Sequence, residues 1–172
     1  MKDKQVCLRA LEPSDADLLY VWENDTETFA TGLAAQWPLS LSDIRLFIEE
    51  STADIWQTRQ KRFMIDNSDG VTIGCIDIFD FDPLNGNCSF GLLIDRAHRR
   101  CGYGMCALLK LEKYVCDILS VKNIKITIAA DNHASLCLFE KLGYEHVGTL
   151  RRWLHRISGR VDMLVYQKTF VV

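Results

Sequence analysis

Arg99 and Arg100 stand just ahead of Gly102 and Gly104, and an apolar helical pattern starts at once after them. A helix entrance leaves several backbone N–H groups without an acceptor and carries about half a positive charge from the aligned peptide dipoles. Glycine at such an entrance lets an anion reach those N–H groups without meeting a Cβ. Two guanidinium groups alongside suit a diphosphate. The plainer alternative is a strand-to-helix turn shaped by glycine, with both arginines in solvent. Two common phosphate loops are excluded, because no Gly-Lys-Ser/Thr follows and the GxGxxG interval of dinucleotide sites is absent.

Asp77 is the next candidate for chemistry. It lies between Ile76 and Ile78 in an apolar strand pattern, alternating with Cys75 and Phe79. A carboxylate there faces a wet cavity, pairs with a cation or has a raised pKa; otherwise the strand is an edge and Asp77 is in solvent. Asp80 and Asp82, near the strand end, suit a polycation or simply a turn. Glu23, Asp25 and Glu27 read as a solvated acidic loop. Trp37, beside Pro38, is either a pocket wall or a packing contact. The four histidines show no metal spacing, so no metal site is expected.

The elements that must hold these residues follow from periodicity. Val6–Leu11 reads as a strand, and Pro13 and Ser14 open a helix in which Leu18, Leu19 and Trp22 share a face. A second helix follows Ser42, with Ile44, Phe47, Ile48 and Ile55 at helical spacing. "KRFMI" and "VTIGCIDIFDF" form a hairpin about Asn67–Gly70, and Pro83–Gly86 turns into the strand "NCSFGLLI". A long helix is expected from Tyr103 to about Leu119, then the strand "NIKITIAA", a short helix Ala134–Leu142, and a closing hairpin of 145–155 with 160–170. Cys137 falls on the expected buried face of the short helix. The sum is one mixed α/β domain over residues 1–172, with a largely antiparallel sheet and one βαβ-like crossover.

Composition sets outer limits. At 172 residues, 48% apolar and 25% charged, the chain is an ordinary globule able to bury a substantial core. A net charge of −3 argues against a protein that coats nucleic acid or an anionic membrane. No apolar run approaches the roughly 18 residues of a membrane span. Seven cysteines without a CxxC read as reduced, mostly buried thiols, which points to the cytoplasm.

With both patches in view the sequence resembles the GNAT acetyltransferases. Their cofactor loop, Q/R-x-x-G-x-G/A, is met by Arg99, Gly102 and Gly104. Their later motif, N-x-x-[AS]-x-x-[LF]-[YF]-x-x-x-G-[FY], is met by Asn132, Ser135, Leu138, Phe139, Gly143 and Tyr144. The likeness spans nearly the whole chain and is nearest to the branch of spermidine/spermine N-acetyltransferases and ribosomal-protein N-terminal acetyltransferases. It implies a central, mostly antiparallel sheet of about seven strands with about four helices, and two parallel strands splayed around acetyl-CoA.

The same resemblance implies roles for particular residues. Backbone groups of Leu92, Leu93 and Ile94 pair with the pantetheine arm, and the Leu93 N–H points at the thioester oxygen, a placement typically worth ~3 kcal/mol. The diphosphate lies on N–H groups of Arg99, Arg100, Cys101, Gly102, Tyr103, Gly104 and Met105. Asn132 hydrogen-bonds the arm, and Ser135 touches the coenzyme or caps its helix. An amine attacks the thioester directly, with Asp77 as candidate base and Asp80, Ser89 and Trp37 toward the acceptor. Many relatives use a tyrosine as acid where this chain has Phe139. The relatives that take spermidine carry two glutamates just before the proline matching Pro38, where this chain reads "AAQWP". The implied acceptor is a small polyamine-like amine or a protein N-terminus, and self-association is common among the relatives. A non-catalytic acyl-CoA-binding module is the competing class.

Overall fold

The computed structural model describes residues 5–26, 37–156 and 158–170. Among them the chain runs β1 (Val6–Ala10), a 3-10 turn (Pro13–Asp15), α1 (Ala16–Glu23), α2 (Leu41–Glu50), α3 (Ile55–Thr58), β2 (Lys61–Asn67), β3 (Thr72–Asp82) and β4 (Asn87–Ile94). A second 3-10 turn (Arg96–His98) leads to α4 (Tyr103–Leu119), β5 (Asn123–Ala129), α5 (His133–Lys141), β6 (Glu145–Arg156) and β7 (Gly159–Thr169). Seven strands of a mixed sheet with helices are the expected class. There are five α-helices among the described residues rather than four, and the additional one comes from Ile55. Its spacing continues the pattern of α2, but Asp54 takes extended backbone and its carboxylate accepts the Trp56 N–H at 3.0 Å, which starts a separate turn. Glu27 lies outside the described residues, as do the first three residues of "AAQWP".

Contacts divide the chain into two compact units, each assembled from separated segments. The first comprises the segment ending at Leu11, Ser51–Ile124 and the segment from Thr169; the second comprises Glu12–Glu50 and Lys125–Lys168.

In the first unit β1, β2, β3 and β4 lie side by side, all antiparallel. Helix α4 buries Ala107, Leu108, Leu111, Val115 and Leu119, a stripe at the three-to-four-residue interval that one helix face requires. It is fixed to the sheet by the Lys110 ammonium, which donates to the Val6 carbonyl, and by the Tyr114 ring, edge-on to Phe63 at 5.6 Å. At the far end of β3 the backbone of Gly74 approaches β4 closely. A Cβ there would sit 2.2 Å from the Leu93 carbonyl oxygen and 3.1 Å from Ile94 Cα. Gly74→Ala is therefore expected to cost about 3 kcal/mol, because only backbone can yield, and a urea midpoint shift would measure it.

In the second unit α1 packs on α2 through Leu19, Trp22, Ile44 and Ile48, all buried. Strand β7 lies between β5 and β6. Phe139 meets Tyr144 edge-to-face at 5.1 Å, and the Tyr166 hydroxyl donates to Glu140 at 2.9 Å. Cys137 is exposed, contrary to expectation: Phe139 and Leu142 define the buried face of α5, and a residue two places before Phe139 lies on the opposite side.

The other cysteines correct the same expectation. Cys75 and Cys88 are buried, Cys106 and Cys116 half-buried, Cys7 and Cys101 exposed, and all seven are free thiols. Burial, aided by nearby Cys116, pushes the Cys88 thiol up to about 12, so it acts as a core side chain. Among the described residues no helix is long and apolar enough to cross a membrane.

Candidate active site

The anion cradle belongs to the first unit and is built from the end of β4. Asp95 caps the 3-10 turn by accepting the Ala97 N–H at 3.3 Å, and its carboxylate also meets His98 Nδ1 at 3.0 Å. The chain then extends through Arg99, turns left-handed at Arg100 (φ 57°) and again at Gly102 (φ 87°), and enters α4. Gly102 caps the helix with no side chain, and the first intrahelical acceptor is its own carbonyl, which takes the Cys106 N–H at 3.3 Å. The N–H groups of the first turn thus lack intrahelical acceptors, and no atom lies within 4 Å of where a Cβ on Gly102 would sit. The residues present fit an anion at this entrance. Glycine and a left-handed cap leave it accessible, and Arg100 is exposed beside it.

Arg99 differs from the expectation of a plain phosphate ligand. Its Nε donates to the Ile94 carbonyl at 2.9 Å, so the side chain ties the loop back to the strand it leaves. That bond also occupies a carbonyl expected to serve the pantetheine arm. On the β3 side, Leu92 and Leu93 are in register with Ile76 and Cys75.

Asp77 is not at an edge: β3 has β2 on one side and β4 on the other. Its oxygens accept Arg62 Nε at 2.7 Å and Arg62 Nη2 at 3.0 Å, the bidentate geometry of a strong charge-assisted pair. Arg62 faces Asp77 directly across β2 and β3, with Gly91 in line on β4. The cation-pair alternative is the one realised, and it engages the lone pairs that a base would use. Arg62→Ala is expected to lower stability by about 2 kcal/mol, a value reduced from that of a fully buried pair because both side chains retain some solvent contact, as chemical denaturation would show.

Asp80 and Ser89, both expected toward the acceptor, come together. Asp80 adopts a left-handed backbone (φ 51°) in a bulge between Phe79 and Asp82, where its Oδ2 accepts the hydroxyl of buried Ser89 at 3.3 Å. Asp82 is explained by its turn: it accepts the Leu84 and Asn85 N–H groups and the Asn85 amide, and that side-chain bond leads the causes holding its carboxyl below the usual range. Trp37 is 65% exposed.

In the second unit the later motif opens α5. Asn132, not Ser135, is the cap: its Oδ1 accepts the Ser135 N–H at 3.1 Å. Ser135 sits a turn too late to cap and is half-buried. Phe139 is 5% exposed and packs against Tyr144. The segment before Asn132 is held by residues that the motifs do not include. Buried Arg156 meets Asp131 at 3.4 Å, and the Ala130 N–H donates to the Asp162 carbonyl at 3.0 Å. Carrying the β2–β3 register back from the Asn67–Gly70 turn sets Arg62 opposite Ile76; a bulge between Ile65 and Asp66 shifts the pairing by one and brings Arg62 to Asp77 instead. Arg156 and Asp162 carried no comparable signal.

Three comparisons place this geometry among known proteins. A family profile described as "Acetyltransferase (GNAT) domain" matches residues 5–145. The SPbeta prophage-derived uncharacterized N-acetyltransferase YokL of Bacillus subtilis (strain 168) is 26% identical over 167 residues, covering 96% of this chain and 90% of the relative. The uncharacterized N-acetyltransferase YoaA of the same organism is 24% identical, covering 96% and 94%. Among solved structures, a spermidine N-acetyltransferase from Vibrio cholerae in complex with CoA and spermine superposes with TM-score 0.88 at 18% identity, covering 96% of this chain and 95% of that one. A probable acetyltransferase gives TM-score 0.85 at 23% identity, covering 95% and 92%.

Proposed function

This chain belongs to the GNAT acetyltransferase family and is an acyltransferase, and from that premise we propose that it moves an acetyl group from acetyl-CoA to a primary amine by direct attack in a ternary complex. The observation that carries the proposal is the open, left-handed Gly102 cap at the start of α4. Acetyl-CoA supplies the activated acyl group when bound. The first-turn N–H groups from Tyr103 to Met105, with Arg100, hold its diphosphate; Arg99 positions the loop through Ile94. The backbone of Leu92 and Leu93 on β4 lines the pantetheine arm, with the Leu93 N–H toward the thioester oxygen. In this reading residues 1–172 are a single acetyltransferase domain, in the cytoplasm, with no metal required.

The acceptor amine must lose a proton. At pH 7 a primary alkylamine of pKa about 10 is neutral in roughly one molecule per thousand. Asp77, clasped by Arg62, is poorly arranged to take that proton directly, whereas exposed Asp80 has the Ser89 hydroxyl already aligned beside it. A polyamine, such as the spermine bound by the Vibrio cholerae relative, would meet Asp80 beside Ser89 on the acceptor side, while Asp77 and Asp82 are held by Arg62 and Asn85. The second acceptor class is the N-terminus of a polypeptide.

A thiol-release assay with spermidine, a free-amine peptide and an aminoglycoside, alongside CoA titration, tests the proposal. Release with at least one amine is expected. CoA binding without release on any amine would instead identify a non-catalytic module, and no binding at millimolar CoA would overturn the site itself.

A further inference from the structure

The β6–β7 hairpin contains a break that nothing in the acetyl-transfer chemistry requires. Leu150 pairs with Met163 and Leu154 with Val161, so Arg151, Arg152 and Trp153 stand opposite the single residue Asp162. Arg152 takes a left-handed backbone (φ 52°), a conformation that costs a non-glycine residue about 1 kcal/mol. It is held there by Asp162, whose carboxylate accepts the Arg152 N–H at 2.6 Å. Bulges of this kind redirect side chains at sheet edges and beside active sites, and stored strain of this sort clusters at binding elements.

What the bulge presents has a definite chemical character. Arg151, Arg152 and Arg160 are exposed, and Trp153 is 60% exposed with Leu150 on the same strand. In a chain of net charge −3 this is a local basic patch with an aromatic platform. Strand β6 closes the strand order at that end and pairs only with β7 among the described residues, leaving an edge on which an extended chain can lie. The patch is also tied to the candidate active site within the second unit. Asp162 holds Arg152 with its side chain and Ala130 with its carbonyl, and Arg156, three residues past Trp153, meets Asp131, immediately before the cap Asn132.

We propose that the Arg151–Trp153 bulge docks an acidic polypeptide segment, the chain whose amine is to be acetylated, with the arginines on its carboxylates and Trp153 on its apolar atoms. This rests on the acetyltransferase reading above and names the acceptor class for it. Asp162 is then a positioning residue that sets the bulge relative to Asn132.

The test uses the full chain with CoA present and three fluorescent probes: a glutamate-rich peptide with a free N-terminus, its lysine-rich counterpart, and an oligouridylate. By anisotropy the acidic peptide should bind at least about tenfold more tightly than the basic one, with the preference shrinking as salt rises. A double variant, Arg151→Ser with Arg152→Gly, should lose roughly that factor, since two exposed charge pairs are removed while glycine keeps the left-handed backbone. Asp162→Asn should reduce acidic-peptide affinity while both arginines remain, an effect that simple loss of charge would not produce. Equal binding of both peptides, tighter binding of the oligouridylate, or an unchanged double variant would overturn the proposal. Acidic-peptide binding without thiol release would uphold the docking surface while refuting acetyl transfer. Release on simple amines with no charge preference would do the reverse.

Discussion

Gly104→Val should weaken CoA binding by roughly a hundredfold while leaving stability within about 1 kcal/mol of the parent. Position 104 is the second residue of α4, where glycine is a poorer helix former than valine by a few tenths of a kcal/mol, so the helix itself has nothing to lose. The loss falls on the coenzyme. A branched side chain at the first turn covers the N–H groups on which a diphosphate must lie, and several charge-assisted hydrogen bonds are replaced by contact with a methyl group. Isothermal titration paired with a thermal melt separates the two effects. Normal CoA affinity in the variant would remove the diphosphate from this entrance.

Phe139→Tyr is expected to raise kcat about tenfold at pH 7. General acids contribute typically 10²- to 10⁴-fold, but a leaving thiol of pKa about 8.5 departs tolerably as its anion, so the gain belongs below that range. Phe139 is buried with its ring edge-on to Tyr144, so the substitution extends a held ring rather than creating a mobile one. The sign with pH follows from the same chemistry: the advantage should shrink above pH 8.5, where an unprotonated thiolate is already stable in water. Thiol release measured at pH 7 and pH 9 checks both statements. An unchanged rate at pH 7 would mean that the thiolate is protonated by another route.

Most of the fold could be read from the sequence because its signals were local. The Asn67–Gly70 turn, the alternation through Ile76–Phe79 and the apolar stripe of α4 each declare an element within a few residues. The glycine pair at 102 and 104 marks a strand-to-helix turn, and the structure adds that Arg100 and Gly102 take left-handed backbone there. Errors arose where a local signal was overruled by a neighbour. Ile55 kept the helical interval of α2, but the Asp54 carboxylate redirected the backbone. Ser135 has the chemistry of a cap, but Asn132 stands one turn earlier and takes the role. Cys137 sits at apolar spacing in the sequence, but Phe139 and Leu142 set the covered side of α5 and leave it exposed.

Asp77 shows a different shortfall. Its sequence environment required a partner, but periodicity along β3 cannot say which residue of β2 lies across from it; that depends on register. The Arg151–Trp153 bulge left no trace at all. No glycine, asparagine or proline marks it, and the residue that holds it, Asp162, is on the other strand.

The interleaving of the two units has a consequence for how the chain reaches its native state. The Phe170 N–H bonds to the Lys122 carbonyl at 2.7 Å, and the Thr169 hydroxyl bonds to Asn123 at 2.8 Å, so the first unit is completed by residues synthesised after everything in the second. A nascent chain on the ribosome therefore cannot mature one unit at a time. The contacts of Thr169 and Phe170 with Asn123 and Lys122 can form only once the whole second unit has been synthesised.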